Sequence, residues 1–405
     1  VALPPGSLRG ESSGQIAVDL KKGAAPRFSL RSDLAGLGVS VPQLSWVKAP
    51  ATKGELRLAG RLGETPNIDA FQLNAPGLRV AGSIDLEPGG ALDRVRIDRL
   101  RRGDWLDIPV QLIGRGKGNP VQVVLGGGTL DMRRAEFGGA GGQAGPPMRV
   151  ALDRLQITDT IYLTNLAGTF DTAKGMDGSF TARLNGGTPV QGRVLPQGGR
   201  SAVRVVSDDA GGILRSAGLV KQVVGGNLSL TLLPVGSGGA FDGQLEVSNV
   251  AIQDAPGIAA LVNAVSVVGL INELNGDGIY FDDVEAKFRL TPNRLTLTEA
   301  SAVGASLGLS MDGVYALDSG LIDMQGVISP VYMFNGIGSL FTRKGEGLIG
   351  FNYRLTGAAK EPSVSVNPLS ALTPGMFREL FRRPPPTPPA VQGQANPVAR
   401  VPEDR

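Results

Sequence analysis

The sequence predicts a mostly β fold: an elongated, curved antiparallel sheet that forms an open hydrophobic groove, with a few short helices. Apolar and polar residues alternate with a period of two over many short segments, which is the pattern of half-buried strands. Turn-forming residues separate these segments, and the 405 residues include 59 glycines and 28 prolines. Long helices do not intervene, which favours an antiparallel sheet over alternating parallel strands and helices.

Residues 1–137 are predicted to be a repetitive sheet segment of the groove. The clearest strand covers residues 78–86, where apolar positions alternate with Arg79 and Asp85. Successive side chains of a strand point to opposite faces. The groove candidates on its apolar face are Leu78, Val80, Ile84 and Leu86. A shorter run at residues 121–125 predicts a further strand of the same kind.

A dense basic run follows that strand. It consists of Arg94, Arg96, Arg99, Arg101 and Arg102. Charges that alternate along a strand usually form a solvated face, and the alternative is contact with an anionic lipid headgroup surface. The formal net charge of the whole chain is only +3, which argues against nucleic acid as a partner.

A flexible boundary is predicted at residues 138–147, a Gly/Pro-rich linker or loop with no large side chain to pack. Beyond it, residues 148–366 are predicted to form a C-terminal β domain. Its strands include the alternating runs at residues 241–248 and 284–290. The groove candidates of this domain are Leu245, Val247, Phe288, Leu290, Leu307 and Leu309.

An uncharged segment at residues 255–272 is predicted to be an apolar helix within this domain. Its apolar positions include Ile258, Leu261, Val265, Val268 and Leu270. The length reaches the lower limit for crossing a bilayer, but Asn263 and other polar residues interrupt the segment and acidic residues flank it, which argues against a membrane span. Two alternatives stay open: the helix packs against the sheet, or it lies in an apolar groove.

Two apolar segments near the C-terminus are candidates for membrane contact. Residues 324–342 are uncharged and predict a strand followed by an apolar loop or helix, and residues 367–381 predict a short amphipathic helix. The candidate residues are Val331, Phe334, Leu340, Phe341, Phe377 and Phe381. The Pro-rich residues 382–405 predict a disordered tail.

The composition argues against an enzyme. The chain has no histidine and no cysteine, so it lacks the commonest general base, the commonest zinc ligand and thiolate chemistry. A G-x-S-x-G match at residues 304–308 lacks the histidine and the helix that a nucleophilic serine needs. A G-x-G-x-x-G match at residues 345–350 precedes a strand rather than a helix. We therefore predict no catalytic residue, no cofactor and no metal.

The apolar face of the predicted sheet needs a cover. Aromatic residues make up only 5% of the chain, and the few helices are too short to form a second layer. A sandwich, a closed barrel, or a curved sheet whose concave face holds another apolar molecule would each bury the face. The last alternative indicates lipid.

Several motifs of the C-terminal half resemble the AsmA-like family, and in particular the C-terminal region of its large YhdP-like envelope proteins. These motifs are residues 208–218, 225–230, 243–250, 270–272 and 278–283, Pro330, and residues 353–364. The resemblance covers about residues 202–381, and toward the N-terminus it continues only through the strand pattern. The motifs are structural rather than catalytic.

The resemblance implies a bridge-like lipid transfer protein of the Gram-negative periplasm, whose parent protein is anchored in the inner membrane by an N-terminal helix outside this sequence. The expected function is a non-catalytic lipid-binding conduit for phospholipid transport between the inner and outer membranes. Its expected partners are phospholipid acyl chains, the two membrane surfaces and envelope proteins at the C-terminal tail. The alternative is a structural or assembly factor that binds outer-membrane protein strands at an open sheet edge.

Overall fold

The structure, a computed structural model, consists of two compact units, Val1–Arg200 (unit 1) and Ser201–Arg405 (unit 2). It describes residues 6–116, 118–135, 145–217, 223–236, 239–253, 259, 261–263, 278–330, 343–347, 349–359, 361–373 and 382–393. Strands dominate the described part of both units and the helices are short, which confirms the predicted mostly β fold class.

Unit 1 contains a small sheet and a large sheet. Its strands are β1 Leu8–Gly10, β2 Gln15–Asp19, β3 Arg27–Ser32, β4 Leu37–Val41, β5 Trp46–Lys48, β6 Glu55–Arg61, β7 Asn67–Ala75, β8 Leu78–Leu86, β9 Leu92–Arg102, β10 Leu106–Ile113, β11 Gln122–Gly126, β12 Thr129–Asp131, β13 Met148–Gln156, β14 Tyr162–Asp171, β15 Asp177–Leu184 and β16 Thr188–Gln197. The small sheet has the order β1-β4-β5.

The large sheet of unit 1 is mixed rather than purely antiparallel. Strands β2, β3, β6, β7, β8, β9 and β10 pair in that order with antiparallel neighbours. Both β11 and β12 pair antiparallel with β10 but parallel with β13, and β14, β15 and β16 follow antiparallel. The predicted boundary at residues 138–147 does not separate the units, because Val123 of β11 pairs with Met148 of β13 across it.

The small sheet is attached beside the β7–β8 turn. Trp46 is buried and its indole N–H donates to the carbonyl of Pro76 at 2.9 Å. The guanidinium of Arg102 donates to the carbonyl of Leu44 at 3.2 Å. These contacts enclose one end of β8, where Leu78 is only 2% exposed.

Unit 2 is a meander in which every neighbouring pair of strands is antiparallel. Its strands are β17 Arg200–Ser207, β18 Val223–Val235, β19 Ala240–Ile252, β20 Ile279–Leu290, β21 Arg294–Val303, β22 Leu307–Ala316, β23 Leu321–Pro330, β24 Phe351–Ala358 and β25 Glu361–Asn367. They pair in the order of the sequence, so every connection is a hairpin or a longer excursion that returns to the next strand.

The described helical elements are short. Helix α1 covers Ala210–Ser216 and packs on β18. It begins after Asp209, whose carboxylate accepts a hydrogen bond from the backbone N–H of Gly212 at 2.7 Å. Two 3-10 turns cover Pro42–Leu44 and Pro368–Leu372. No helix among the described residues is long and apolar enough to cross a membrane.

The structure describes only part of the predicted helix at residues 255–272. Ala259, Leu261, Val262 and Asn263 are helical, and Leu261 and Val262 are buried. Ile258, Val265, Val268 and Leu270 lie outside the described residues.

Candidate functional site

The strand register of unit 2 places apolar residues in rows that cross the sheet on one face. One row contains Leu230, Leu245, Ala286, Ala300, Met311, Gly326, Tyr353 and Val366. A neighbouring row contains Leu228, Val247, Val284, Ala302, Leu309, Ile328 and Phe351. Because directly paired residues share a face, these rows form one continuous surface, which we call the apolar face.

The opposite face of the same sheet is polar. One row there contains Ser229, Glu246, Glu285, Ser301, Ser310, Val327 and Asn352. The alternation that the sequence predicts for this half of the chain is therefore present in the register of unit 2. We call this second surface the polar face.

Part of the apolar face is half-exposed, although Leu228, Val247, Ile328 and Tyr353 in its rows are buried. Among its predicted residues, Leu245, Phe288, Leu290 and Leu309 are half-buried. Among the described elements of unit 2, the substantial contacts join neighbouring strands, α1 to β18 and β19, and the Pro368–Leu372 turn to β24. These contacts include no second layer of described elements over its half-exposed part, and exposure of apolar surface to water costs free energy.

Two of the predicted groove residues are in the core instead. Val247 is 3% exposed and Leu307 is 0% exposed. Val247 pairs with the buried Leu228. Both side chains lie on the apolar face, so their burial means that the protein covers the face at these positions and that they are not available to a ligand.

The polar face is covered by the chain itself. In residues 343–347, the carboxylate of Glu346 accepts from the hydroxyl of Ser310 at 2.6 Å, and the backbone N–H of Gly347 donates to the hydroxyl of Ser329 at 2.9 Å. The amine of Lys344 lies 2.8 Å from the carboxylate of Glu285. This segment therefore crosses the polar side of several neighbouring strands.

Residues 382–393, which we call the proline strap, cross the same face. The side chain of Gln325 binds the backbone of Arg383 through both its amide nitrogen and its oxygen, at 2.6 and 3.2 Å. Farther along, the guanidinium of Arg289 donates to the carbonyl of Pro389 at 3.2 Å. The expected disorder from residue 382 is thus wrong for residues 382–393, because these side chains hold the strap on the sheet.

The strap has the exposure pattern of a polyproline II helix. Pro384, Thr387 and Ala390 are exposed, and the prolines between them are half-buried. A spacing of three matches the three residues per turn of that helix. Backbone carbonyls of a polyproline II helix have no internal partners, and in the strap the carbonyl of Pro389 accepts from Arg289.

A buried ion cluster attaches the start of the strap. The guanidinium of Arg382 donates to the carboxylates of Glu346 at 2.5 Å and Asp312 at 2.8 Å. The side chains of Arg382, Asp312 and Glu346 are only 4%, 2% and 3% exposed. Desolvation by itself lowers the pKa of Arg382, but the two carboxylates outweigh it and raise that pKa.

Aromatic side chains lie flat across glycines on the apolar face. Gly243 pairs with Phe288, and a Cβ on this glycine would lie 2.2 Å from the ring. Gly326 pairs with Tyr353, whose hydroxyl donates to the carbonyl of Ser310 at 2.8 Å. Because a ring occupies the space above each glycine, it does not project from the face.

Unit 1 has apolar rows of the same kind. One of them contains Leu73, Val80, Leu100 and Ile108. The predicted residues Val80, Ile84 and Leu86 are half-buried, whereas Leu78 is enclosed at the small sheet. Phe180 lies over Gly192, where a Cβ would come within 2.1 Å of the ring.

The remaining candidates from the sequence either lie outside the described residues or form no site within them. Val331, Phe334, Leu340, Phe341, Phe377 and Phe381 lie outside the described residues. The G-x-S-x-G match lies in the hairpin between β21 and β22, where no helix follows Ser306. The described residues contain no group of acidic side chains arranged for a metal ion.

The carboxylate of Asp323 holds a more exposed part of the strap. Arg383 and then Arg354 donate to it at 2.9–3.1 Å, and these hydrogen bonds lower its pKa from 3.8 to about 2. Because the folded-state pKa is depressed, the stability that Asp323 contributes is complete above its unfolded pKa of 3.8 and is lost as the pH falls toward 2.

We expect the Arg383 end of the strap to loosen over that acidic range, with a small effect because the Asp323 side chain is 45% exposed. NMR chemical shifts of Arg383 and Arg354 as a function of pH would measure it. Asp323→Asn should remove the transition, and an unchanged transition in that variant would assign it to another group.

In comparisons with known proteins, no protein-family model, curated protein or solved structure matches this chain.

Proposed function

We propose that this protein is a non-catalytic, lipid-binding conduit, in which phospholipid acyl chains lie against the apolar face while their headgroups stay in solvent. The proposal rests on an unusual feature of unit 2: the chain covers the polar face of the sheet, although a folded protein usually covers the apolar one. In unit 2, residues 343–347 and the proline strap bind across the polar face, whereas the part of the apolar face around Leu245, Phe288 and Leu309 is half-exposed.

Acyl chains suit this face physically. The rows run across the strands without an ionised side chain, from Leu228 to Phe351 and from Leu230 to Val366. Burial of a methylene contributes about 0.8 kcal/mol, so a few sheltered methylenes outweigh a single polar contact. Phe288 lies flat over Gly243 and remains half-exposed, so a chain could lie along the sheet at this position.

The cellular setting that we propose rests on the resemblance of motifs in residues 202–381 to the AsmA-like family. These motifs support a periplasmic location, an inner-membrane anchor in the parent protein, and phospholipid transport between the inner and outer membranes. Passive transfer along a continuous apolar surface requires no catalytic group, cofactor or metal. The inner and outer membrane surfaces are the partners that such transport requires.

Mass spectrometry of lipids extracted from the gently purified chain tests the proposal, with a soluble protein of similar isoelectric point as the control. We expect phospholipid at or above one molecule per chain. A lipid-free protein that stays folded and monomeric would contradict the proposal, because the apolar face would then need no ligand.

One observation favours the alternative, a factor that binds strands of outer-membrane proteins. In β2, Ile16 and Val18 are 64% and 51% exposed, and β3 is the neighbour with which the described β2 pairs. An exposed edge of this kind can accept an additional strand. Crosslinking from Val18 to an outer-membrane barrel protein, in a preparation without bound lipid, would support this alternative over the conduit.

A further inference from the structure

The polar side of unit 1 carries arginines that face one another on neighbouring strands. Arg27 pairs with Arg61 and Arg31 with Arg57 between β3 and β6, and Arg79 pairs with Arg101 between β8 and β9. All of them are exposed. We call these three pairs the arginine array.

Direct opposition of like charges lowers the stability of a sheet. A single pair would be unremarkable, but the same arrangement occurs three times on one face with only β7 between the two groups. With strands about 4.8 Å apart, the array extends roughly 19 Å across the sheet. A feature that opposes stability and is repeated suggests selection for binding.

The carboxylates of this face leave part of the array without a counter-charge. Glu55 and Asp69 form ion pairs with Arg57 and Arg61. In contrast, Arg27, Arg31 and Arg79 form no ion pair within the described part of the chain. Asp107 lies opposite Arg101, but Arg99 already holds it through two hydrogen bonds.

We propose that the arginine array is a docking surface for an anionic lipid bilayer. A guanidinium presents a planar fork of N–H donors that matches the oxygens of a phosphate, and arginine is therefore suited to phospholipid headgroups. The apolar rows of unit 1 lie on the other side of the same sheet, as shown by the pairing of Leu73 with Val80 beside that of Asn74 with Arg79. Docking through the array leaves those rows unobstructed.

The choice of a lipid surface over nucleic acid rests on the proposed function and on one feature of the array. Single-stranded nucleic acid is held by aromatic side chains that stack on its bases, in addition to positive charge. In the described rows around the array, the intervening residues of β7 are Gln72 and Asn74, and their partners on β8 are Ala81 and Arg79. This surface offers phosphate contacts without a stacking platform.

Sedimentation with vesicles tests the proposal on the full chain. The wild-type protein should bind vesicles of phosphatidylcholine mixed with phosphatidylglycerol more tightly than phosphatidylcholine alone, and added salt should weaken this preference. An arginine near an anionic surface contributes roughly a 5-fold gain in affinity, so Arg79→Gln with Arg101→Gln should weaken binding about 30-fold. The same variant should be at least as stable as the wild type, because it removes a like-charge pair.

Arg149→Gln with Arg183→Gln is the matched control, since it removes the same charge from exposed positions on the same face. We expect it to bind vesicles nearly as well as the wild type. Equal losses in both double variants, no preference for the anionic vesicles, or tighter binding to an oligonucleotide than to vesicles would each overturn the proposal. Extracted lipid is measured separately: a variant that keeps its lipid but fails to dock separates the array from the apolar face.

Discussion

Replacement of Arg382 by methionine is expected to destabilise unit 2 by about 3–5 kcal/mol, because removal of one partner leaves buried charges without compensation. Asp312 and Glu346, both almost completely buried, would lose the hydrogen bonds from Arg382, and the only ion pair that Asp312 would keep within the described residues is the longer one to Arg343, at 3.8 Å. The proline strap would lose its anchor in the same step. Hydrogen exchange of the β22 and β23 amides under native conditions would measure the change as a loss of protection.

Arg383→Met is the matched control, since the neighbouring side chain is 52% exposed and its partner Asp323 is 45% exposed. An exposed pair contributes about 1 kcal/mol or less. We expect a large loss of protection from the substitution at position 382 and a small one from the substitution at position 383. Similar protection in both variants would mean that the ion cluster does not hold the strap.

Replacement of Leu245 by aspartate is expected to remove most of the lipid that copurifies with the chain. Leu245 is half-buried in the middle of the apolar face, where it pairs with Leu230 and Ala286. A carboxylate at the centre of a hydrocarbon layer costs about 3 kcal/mol, which corresponds to a reduction in lipid affinity of roughly 100-fold. Lipid extraction followed by mass spectrometry gives the readout.

Gln244→Asp provides the control on the same strand. Gln244 is exposed on the polar face, so the same charge there should leave lipid occupancy unchanged. In unit 1, the corresponding comparison is between Ile84→Asp and a substitution of Asp85. The two residues lie on opposite faces of β8. Equal losses of lipid on both faces, or no loss on either, would contradict a lipid site on the apolar face.

Much of this fold can be read from the sequence because the period of a strand is independent of its partners. The alternation of Leu245 and Val247 with Gln244 and Glu246 predicts a two-faced strand, and the register confirms it. Parallel pairing is different. The sequence gives no sign that β11 and β12 pair with β13 in parallel, because strand direction depends on the path of the chain between them.

The sequence pattern also does not predict how deeply each apolar residue is buried. Periodicity assigns Val247, Leu307 and Leu309 to one type of face, but only Leu309 remains half-exposed. The sequence does not predict helix α1, because its first residues include Gly211 and Gly212, which disfavour helix formation locally. Packing against β18 compensates for this low propensity.

The proline strap shows how composition can mislead. Residues 382–393 have the proline content of a disordered segment, yet a polyproline II chain is already extended and loses little entropy when side chains bind it. Its attachment depends on Asp312, Gln325 and Glu346, which are distant in the sequence. A tertiary contact of this kind has no local signal.

Site-specific photocrosslinking on β18 would test the central claim most directly. Leu230 and Thr231 are adjacent and half-buried, and they lie on opposite faces of the sheet. With a photoreactive amino acid at either position, we expect phospholipid adducts from position 230 and none above background from position 231. Equal labelling at both positions, or adducts from position 231 alone, would contradict the proposal that acyl chains lie on the apolar face.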